Sequence, residues 1–210
     1  FFFTLLSAML IQILTNFIND LYDYKKGADC PDRIGPTRMI QSGRITQAEM
    51  KKAIKILFII ILSIGFYLVL NGGVLILFIG LSSFLFAYLY TATRLSIAYN
   101  GLGEIFVLFY FGIIASMGTF YLQTLSFNYQ IIFIGLICGF LNLSMLVINN
   151  IRDIIVDKRS NKNTLVSIFG KTFGKIELVT AIAVAFARNP MILANLGYDL
   201  QKLSKGRFIL

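Results

Sequence analysis

Two short acidic motifs carry the residues best suited to chemistry: Asn19-Asp20-Leu21-Tyr22-Asp23 and Asn149-Asn150-Ile151-Arg152-Asp153-Ile154-Ile155-Val156-Asp157. Each follows directly on a long apolar run, residues 1–18 and 131–148. If those runs are helices that continue through the motifs, Asn16, Asp20 and Asp23 fall at i, i+4 and i+7, and Asn149, Asp153 and Asp157 at i, i+4 and i+8. Each set then lines one helix face, with Asn19 beside the first. Carboxylates grouped in this way suit a hard cation such as Mg²⁺, which bridges them to phosphate oxygens they would otherwise repel. Arg33, Arg38, Lys158 and Lys162 flank the motifs and would complete a cradle for a diphosphate through charge-assisted hydrogen bonds. The same charges stabilise a departing diphosphate and so lower the barrier to ionising an allylic carbon. The chain has no His. That excludes His-ligated metals and a His base, and leaves oxygen donors to hold any metal.

The elements that must position these residues belong to a membrane protein. The chain is 57% hydrophobic and 14% charged, with a mean hydropathy of +0.78, far from the roughly 25% charged residues of a soluble domain. Spans of about 20 apolar residues cross a bilayer as helices, and runs at 1–18, 53–70, 74–91, 104–122 and 131–148 qualify, with a weaker sixth over 176–194. They are too long and too poor in two-residue alternation for barrel strands. The expected fold is an all-α, polytopic transmembrane bundle forming a single membrane domain over residues 1–210. Phe1-Phe2-Phe3 lacks an initiator Met and a basic leader region, so the chain is expected to be an N-terminally truncated fragment. Cys30 and Cys138 have no metal or disulfide spacing and read as free thiols.

Loop charge sets the orientation. Residues 19–52 and 149–175 are basic, whereas the connections at 71–73 and 123–130 are uncharged. By the positive-inside rule both motif loops face the cytoplasm, or the stroma of a plastid. An even number of spans separates the motifs, so they share one side and form one site. Glu104, at the start of a span, is placed equally well at the interface or in the cavity. Tyr88, Tyr90 and Tyr99 read more naturally as an aromatic belt than as a substrate clamp.

Together with Gly35-Pro36-Thr37-Arg38, Ser42-Gly43 and Asn100-Gly101-Leu102-Gly103-Glu104, the two motifs resemble the UbiA-type intramembrane aromatic prenyltransferases. The stretch Tyr24-Lys25-Lys26-Gly27-Ala28-Asp29 is most similar to the family's naphthoate branch. Relatives acting on other acceptors tend to carry an acidic residue where Gly27 stands. The resemblance covers residues 5–175 and implies Mg²⁺-dependent transfer of a polyprenyl or phytyl group from its diphosphate to 1,4-dihydroxy-2-naphthoate, in menaquinone or phylloquinone formation. It implies that Asp20 and Asp23, with Asp29, hold one Mg²⁺ and that Asp153 and Asp157 hold another, with Asn19 and Asn149 supporting. Arg33, Arg38, Arg152, Lys158 and Lys162 would contact diphosphate or carboxylate. The setting implied is a bacterial plasma membrane or a plastid thylakoid. The partners are these two substrates and the bilayer, with no nucleic acid.

The family's members have more transmembrane helices than are read here, so the bundle is expected to lack some terminal ones. Residues 181–210, with Pro190, match nothing in the family's usual last helices. Two other functions remain open: prenyl transfer to another aromatic acceptor, and ion-coupled transport. Transporters place ionisable groups near the bilayer midplane, whereas these carboxylates cluster at span ends. A cytidine-nucleotide lipid phosphotransferase would carry an Asp-Gly-x-x-Ala-Arg signature, and this chain does not.

Overall fold

The computed structural model describes residues 1–29, 35–93 and 96–185, and among them no strand occurs. The opening apolar run forms α1 (Phe2–Lys25), which continues helically through the first motif. It stops at Gly27, whose φ of +73° favours glycine. There the Ala28 and Gly27 amides donate back to the Asp23 and Tyr24 carbonyls at 2.9 and 3.1 Å. Gly27 is therefore a helix stop, which accounts physically for a glycine at this position.

Helix α2 (Gln47–Thr91) starts from a capping box in which Thr46 Oγ1 accepts from the Glu49 amide and Glu49 Oε2 accepts from the Thr46 amide. It is not one rod. At Gly73 the backbone leaves helical geometry (φ 69°, ψ −161°), and the Phe58 and Phe84 rings lie 4.8 Å apart. In a straight helix those two residues would stand about 39 Å apart at 1.5 Å per residue. The arms are antiparallel, so the two spans expected at 53–70 and 74–91 are both present.

Helix α3 (Gly103–Thr124) carries a π-helical stretch from Val107 to Ile114, a form that tends to occur at functional sites. It packs along α4 (Gln130–Arg159) through glycines: a Cβ on Gly112 would lie 2.5 Å from the Gly135 carbonyl oxygen and 2.8 Å from Gly139 Cα. Helix α4 also runs through its motif. A short α5 (Leu165–Phe169) follows, and α6 (Lys171–Ala185) then returns along α4, burying Leu143, Val147, Val166 and Ala181 together. On the other side Leu14 and Ile18 of α1 pack on Ile61 of α2.

Among the described residues four helices, α1 to α4, are long and apolar enough to cross a membrane. The reversal in α2 makes five crossings of them. Ile59, Phe78 and Phe133 are exposed and line neither cavity, a distribution that suits lipid as the surrounding solvent. The described part of the weaker sixth span is α6. Its remainder, with Pro190 and the basic tail, lies outside the described residues, as do Cys30, Arg33 and Arg94. Cys138 is half-buried and free.

Candidate active site

The helical continuation of α1 and α4 brings both motifs to one polar cavity of about 550 Å³, lined by Asn16, Asn19, Asp20, Asp23, Asn149, Asp153 and Asp157 among others. Each carboxylate is buried and each is held differently. Asp20 Oδ2 accepts from the Met39 amide at 3.1 Å, which ties the loop after α1 to the helix, while its buried Oδ1 has no hydrogen-bond partner. Asp23 Oδ1 accepts from the Tyr99 hydroxyl at 2.9 Å, and its Oδ2 faces Arg38 at 3.7 Å. Arg38 also lies 3.4 Å from Asp29. Asp153 takes a bidentate pair from its neighbour Arg152, both contacts at 2.8 Å, and Asp157 faces Lys162 at 3.8 Å. The contacts of Arg38 with Asp23 and of Lys162 with Asp157 are too long for hydrogen bonds, so they act through charge and leave donors directed at the cavity.

Tyr99 ties the two motifs together. Its hydroxyl serves Asp23, its ring lies 4.1 Å from Lys26 Nζ and 5.6 Å from Lys162 Nζ, and its carbonyl accepts from the Asn163 amide at 3.2 Å. Burial first, then the neighbouring Asp23 carboxylate, pushes the Tyr99 phenol far above its ordinary value, so it remains a donor. Lys26 donates to the Thr91 and Thr93 carbonyls at 2.6 and 2.8 Å and to Ser96 Oγ at 2.9 Å, which fastens the end of α1 to the end of α2. Burial pulls its ammonium below the usual lysine value, with Asp23 opposing the shift. Lys26→Met strands three acceptors. It is expected to cost about 2 kcal/mol, read as a lowered midpoint of thermal unfolding in detergent, whereas an unchanged midpoint would show the clamp to be dispensable.

A second, apolar cavity of about 550 Å³ runs between α1, α2 and α3, with Ile61, Leu68, Ile76, Phe84 and Ile114 in its wall. Gln12, Thr15, Tyr90, Val107 and Phe111 line both cavities, so the polar chamber opens into a hydrocarbon slot. Over residues 1–201 the sequence matches the UbiA prenyltransferase family.

The chain belongs to that family.

Among its relatives, the UbiA chain is 43% identical over 173 residues to a protein of Escherichia coli (strain K12) named 1,4-dihydroxy-2-naphthoate octaprenyltransferase, covering 80% of this chain and 56% of the relative. A protein of the same name from Haemophilus influenzae (strain ATCC 51907 / DSM 11121 / KW20 / Rd) is 37% identical over 187 residues, covering 86% of this chain and 61% of the relative. The chain therefore spans about three fifths of the length of these relatives. It is also 72% identical over 36 residues, 17% of this chain and 11% of the relative, to an uncharacterized protein of Mycobacterium tuberculosis (strain ATCC 25618 / H37Rv). No solved structure matches it.

Of the residues expected from the sequence, Asn19, Asp20, Asp23, Arg38, Asn149, Arg152, Asp153, Asp157 and Lys162 all line the polar cavity of this UbiA chain. Asp29 is held by Arg38, and Lys158 is exposed and absent from the cavity wall. Arg33 lies outside the described residues. Asn19 Oδ1 accepts from Thr91 Oγ1 at 2.6 Å, so its amide is anchored to α2. Among the described residues no three acidic or Cys side chains converge as a ready-made metal site. Sequence reasoning missed Lys26, Thr91 and Asn150, and it read Tyr99 as a belt residue when it is buried in the site. It left Glu104 undecided, and Glu104 lines the cavity. The proximity of Tyr99 and Glu104 to the Gly101-Leu102-Gly103 turn was the one available signal.

Proposed function

We propose that the protein of which this chain is part transfers a prenyl group from a prenyl diphosphate to 1,4-dihydroxy-2-naphthoate, in quinone formation at a bacterial or plastid membrane. The observation that carries this reading is the union of a chamber lined by two carboxylate motifs and three cations with an apolar slot that starts at Tyr90, Val107 and Phe111. The names of the relatives support the naphthoate acceptor and favour a polyprenyl donor over phytyl.

The donor's two halves have different solvent needs, and the two cavities meet them separately. The isoprenoid tail stays among apolar side chains in the slot, as it does in the lipid it comes from. The diphosphate needs Arg38, Arg152 and Lys162, whose charges also stabilise it as it leaves. Phe86, Phe106 and Tyr110 pack against one another in the wall of the slot and offer ring faces, which attract cationic carbon. The unpartnered, buried Asp20 Oδ1 and an all-oxygen donor set suit a hard divalent cation. Asp20 and Asp23 would hold one such ion, and Asp153 and Asp157 a second, with Asn19 and Asn149 alongside. Bound there, Mg²⁺ would neutralise the diphosphate and make it a better leaving group.

The test is an assay in membranes containing the full-length protein, with labelled octaprenyl or phytyl diphosphate and 1,4-dihydroxy-2-naphthoate. Prenylated naphthoquinol should form with Mg²⁺ and disappear on chelation. Product that survives chelation would remove the metal from the proposal, and no product with any aromatic acceptor would return the carboxylates to an ion-carrier role.

A further inference from the structure

We propose that Glu104 is the base that takes the hydroxyl proton of the aromatic acceptor, an inference that rests on the prenyl-transfer reading above. Glu104 is only 5% exposed yet lines the polar cavity. Its Oε1 accepts from Asn150 Nδ2 at 3.0 Å. That donor is neutral. The other carboxylates of the chamber are differently committed: Asp23, Asp153 and Asp157 face Arg38, Arg152 and Lys162, and Asp20 belongs to the diphosphate end. Among the described residues no cation lies within ion-pair distance of Glu104. The charged group facing it from α6 is another carboxylate, Glu177. From α2 it is faced by Tyr90 and from α4 by Asn150. Its lone pairs are oriented but not neutralised, which is what a proton acceptor needs and a diphosphate anchor does not.

Position supports the same role. A Cβ on the adjacent Gly103 would lie 3.2 Å from the Tyr90 hydroxyl, and Tyr90 and Val107 both line the junction of chamber and slot. A prenyl chain filling the slot presents its reactive end at that junction, so an aromatic ring poised to attack it lies beside Glu104. A phenolic hydroxyl titrates near 10 and is almost fully protonated at neutral pH. As Glu104 takes this proton, the oxygen lone pair enters the ring and the adjacent ring carbon, which bears the carboxylate, bonds to the allylic carbon. The allylic C–O bond breaks, and its electron pair leaves with the diphosphate. The resulting ring ketone then loses the carboxylate as CO₂, the C–C electron pair returns to the ketone oxygen, and that oxygen recovers its proton from Glu104. The base is regenerated and no external oxidant is required.

The experiment compares Glu104→Gln, Glu104→Asp and wild type in the full-length membrane enzyme. Two acceptors are used: dihydroxynaphthoate and a ring-fluorinated analogue whose hydroxyl is already ionised at the assay pH. Glu104→Gln should lower kcat with the natural acceptor about 10²- to 10³-fold, leave KM for octaprenyl diphosphate within about threefold, and recover at least about tenfold with the fluorinated acceptor. Glu104→Asp should fall between. The ratio of rates with the two acceptors cancels the amount of folded enzyme, so it reports on the base even where a variant is unstable. A kcat within about threefold of wild type, or an equal loss with both acceptors, overturns the assignment and leaves prenyl transfer intact. A wild type that prenylates neither acceptor overturns the prenyl-transfer reading and this inference with it.

Discussion

Asp20→Asn is expected to lower prenyl transfer by about 10²- to 10³-fold, in the range seen when one electrostatic contact to a developing charge is removed, while the bundle stays folded. The two oxygens of Asp20 have separate tasks. Oδ2 holds the Met39 amide and Oδ1 has no hydrogen-bond partner. An asparagine turned to place its carbonyl oxygen on Met39 keeps the loop anchor and puts an NH₂ where the second oxygen was. That group repels a metal ion and cannot ligate it. Asp20→Ala loses the anchor as well and should lower the unfolding midpoint by an amount worth about 1 kcal/mol, which Asp20→Asn should not. Activity and thermal unfolding measured on both variants separate the roles. Undiminished transfer in Asp20→Asn would remove this carboxylate from the site.

The largest stability effect is expected at the glycine seam between α3 and α4. In Gly112→Ala the new Cβ meets the Gly135 carbonyl oxygen at 2.5 Å and Gly139 Cα at 2.8 Å. Those are backbone atoms, which cannot swing aside as a side-chain tip would, so the helices must separate. A loss of about 2–3 kcal/mol follows from overpacking of this kind. Transfer should fall with it, because the same π-helical stretch carries Val107 and Phe111 to the junction of the two cavities. Gly65→Ala is the control: nothing lies within 4 Å of a Cβ there, and alanine favours a helix interior by about 1 kcal/mol. Equal midpoints for the two variants would show that the seam tolerates separation.

What was legible in the sequence was local and periodic. The spacing of Asn16 and Asp20, and of Asn149, Asp153 and Asp157, puts each set on one face provided the helices run on past their apolar spans, and α1 and α4 do so. The polar Asn71-Gly72-Gly73 step between two apolar runs marks the reversal in α2, although the helix persists to the very residue where it breaks. Partnerships across the fold were not legible. Tyr99 and Asp23 are 76 residues apart, Asn150 and Glu104 are 46 apart, and Lys26 and Thr91 are 65 apart. A tyrosine in a short loop has the composition of a membrane-interface anchor, and only tertiary contact distinguishes it from a strut within the site. The π-helical stretch was equally hidden. Its residues form an unbroken apolar run, in which an added residue per turn leaves no mark on composition.

The strut also bears on how the two halves of the chamber respond to a ligand. Tyr99 is joined to the first motif through Asp23 and to the second motif's loop through Asn163. Loosening either attachment frees the same residue, so the two loops share one ordering transition. A ligand that immobilises one of them lowers the conformational entropy still to be lost by the other. Ligand contacts made at the first motif and at the second are thereby expected to be coupled in free energy, with positive sign, without any displacement of the helices that carry them.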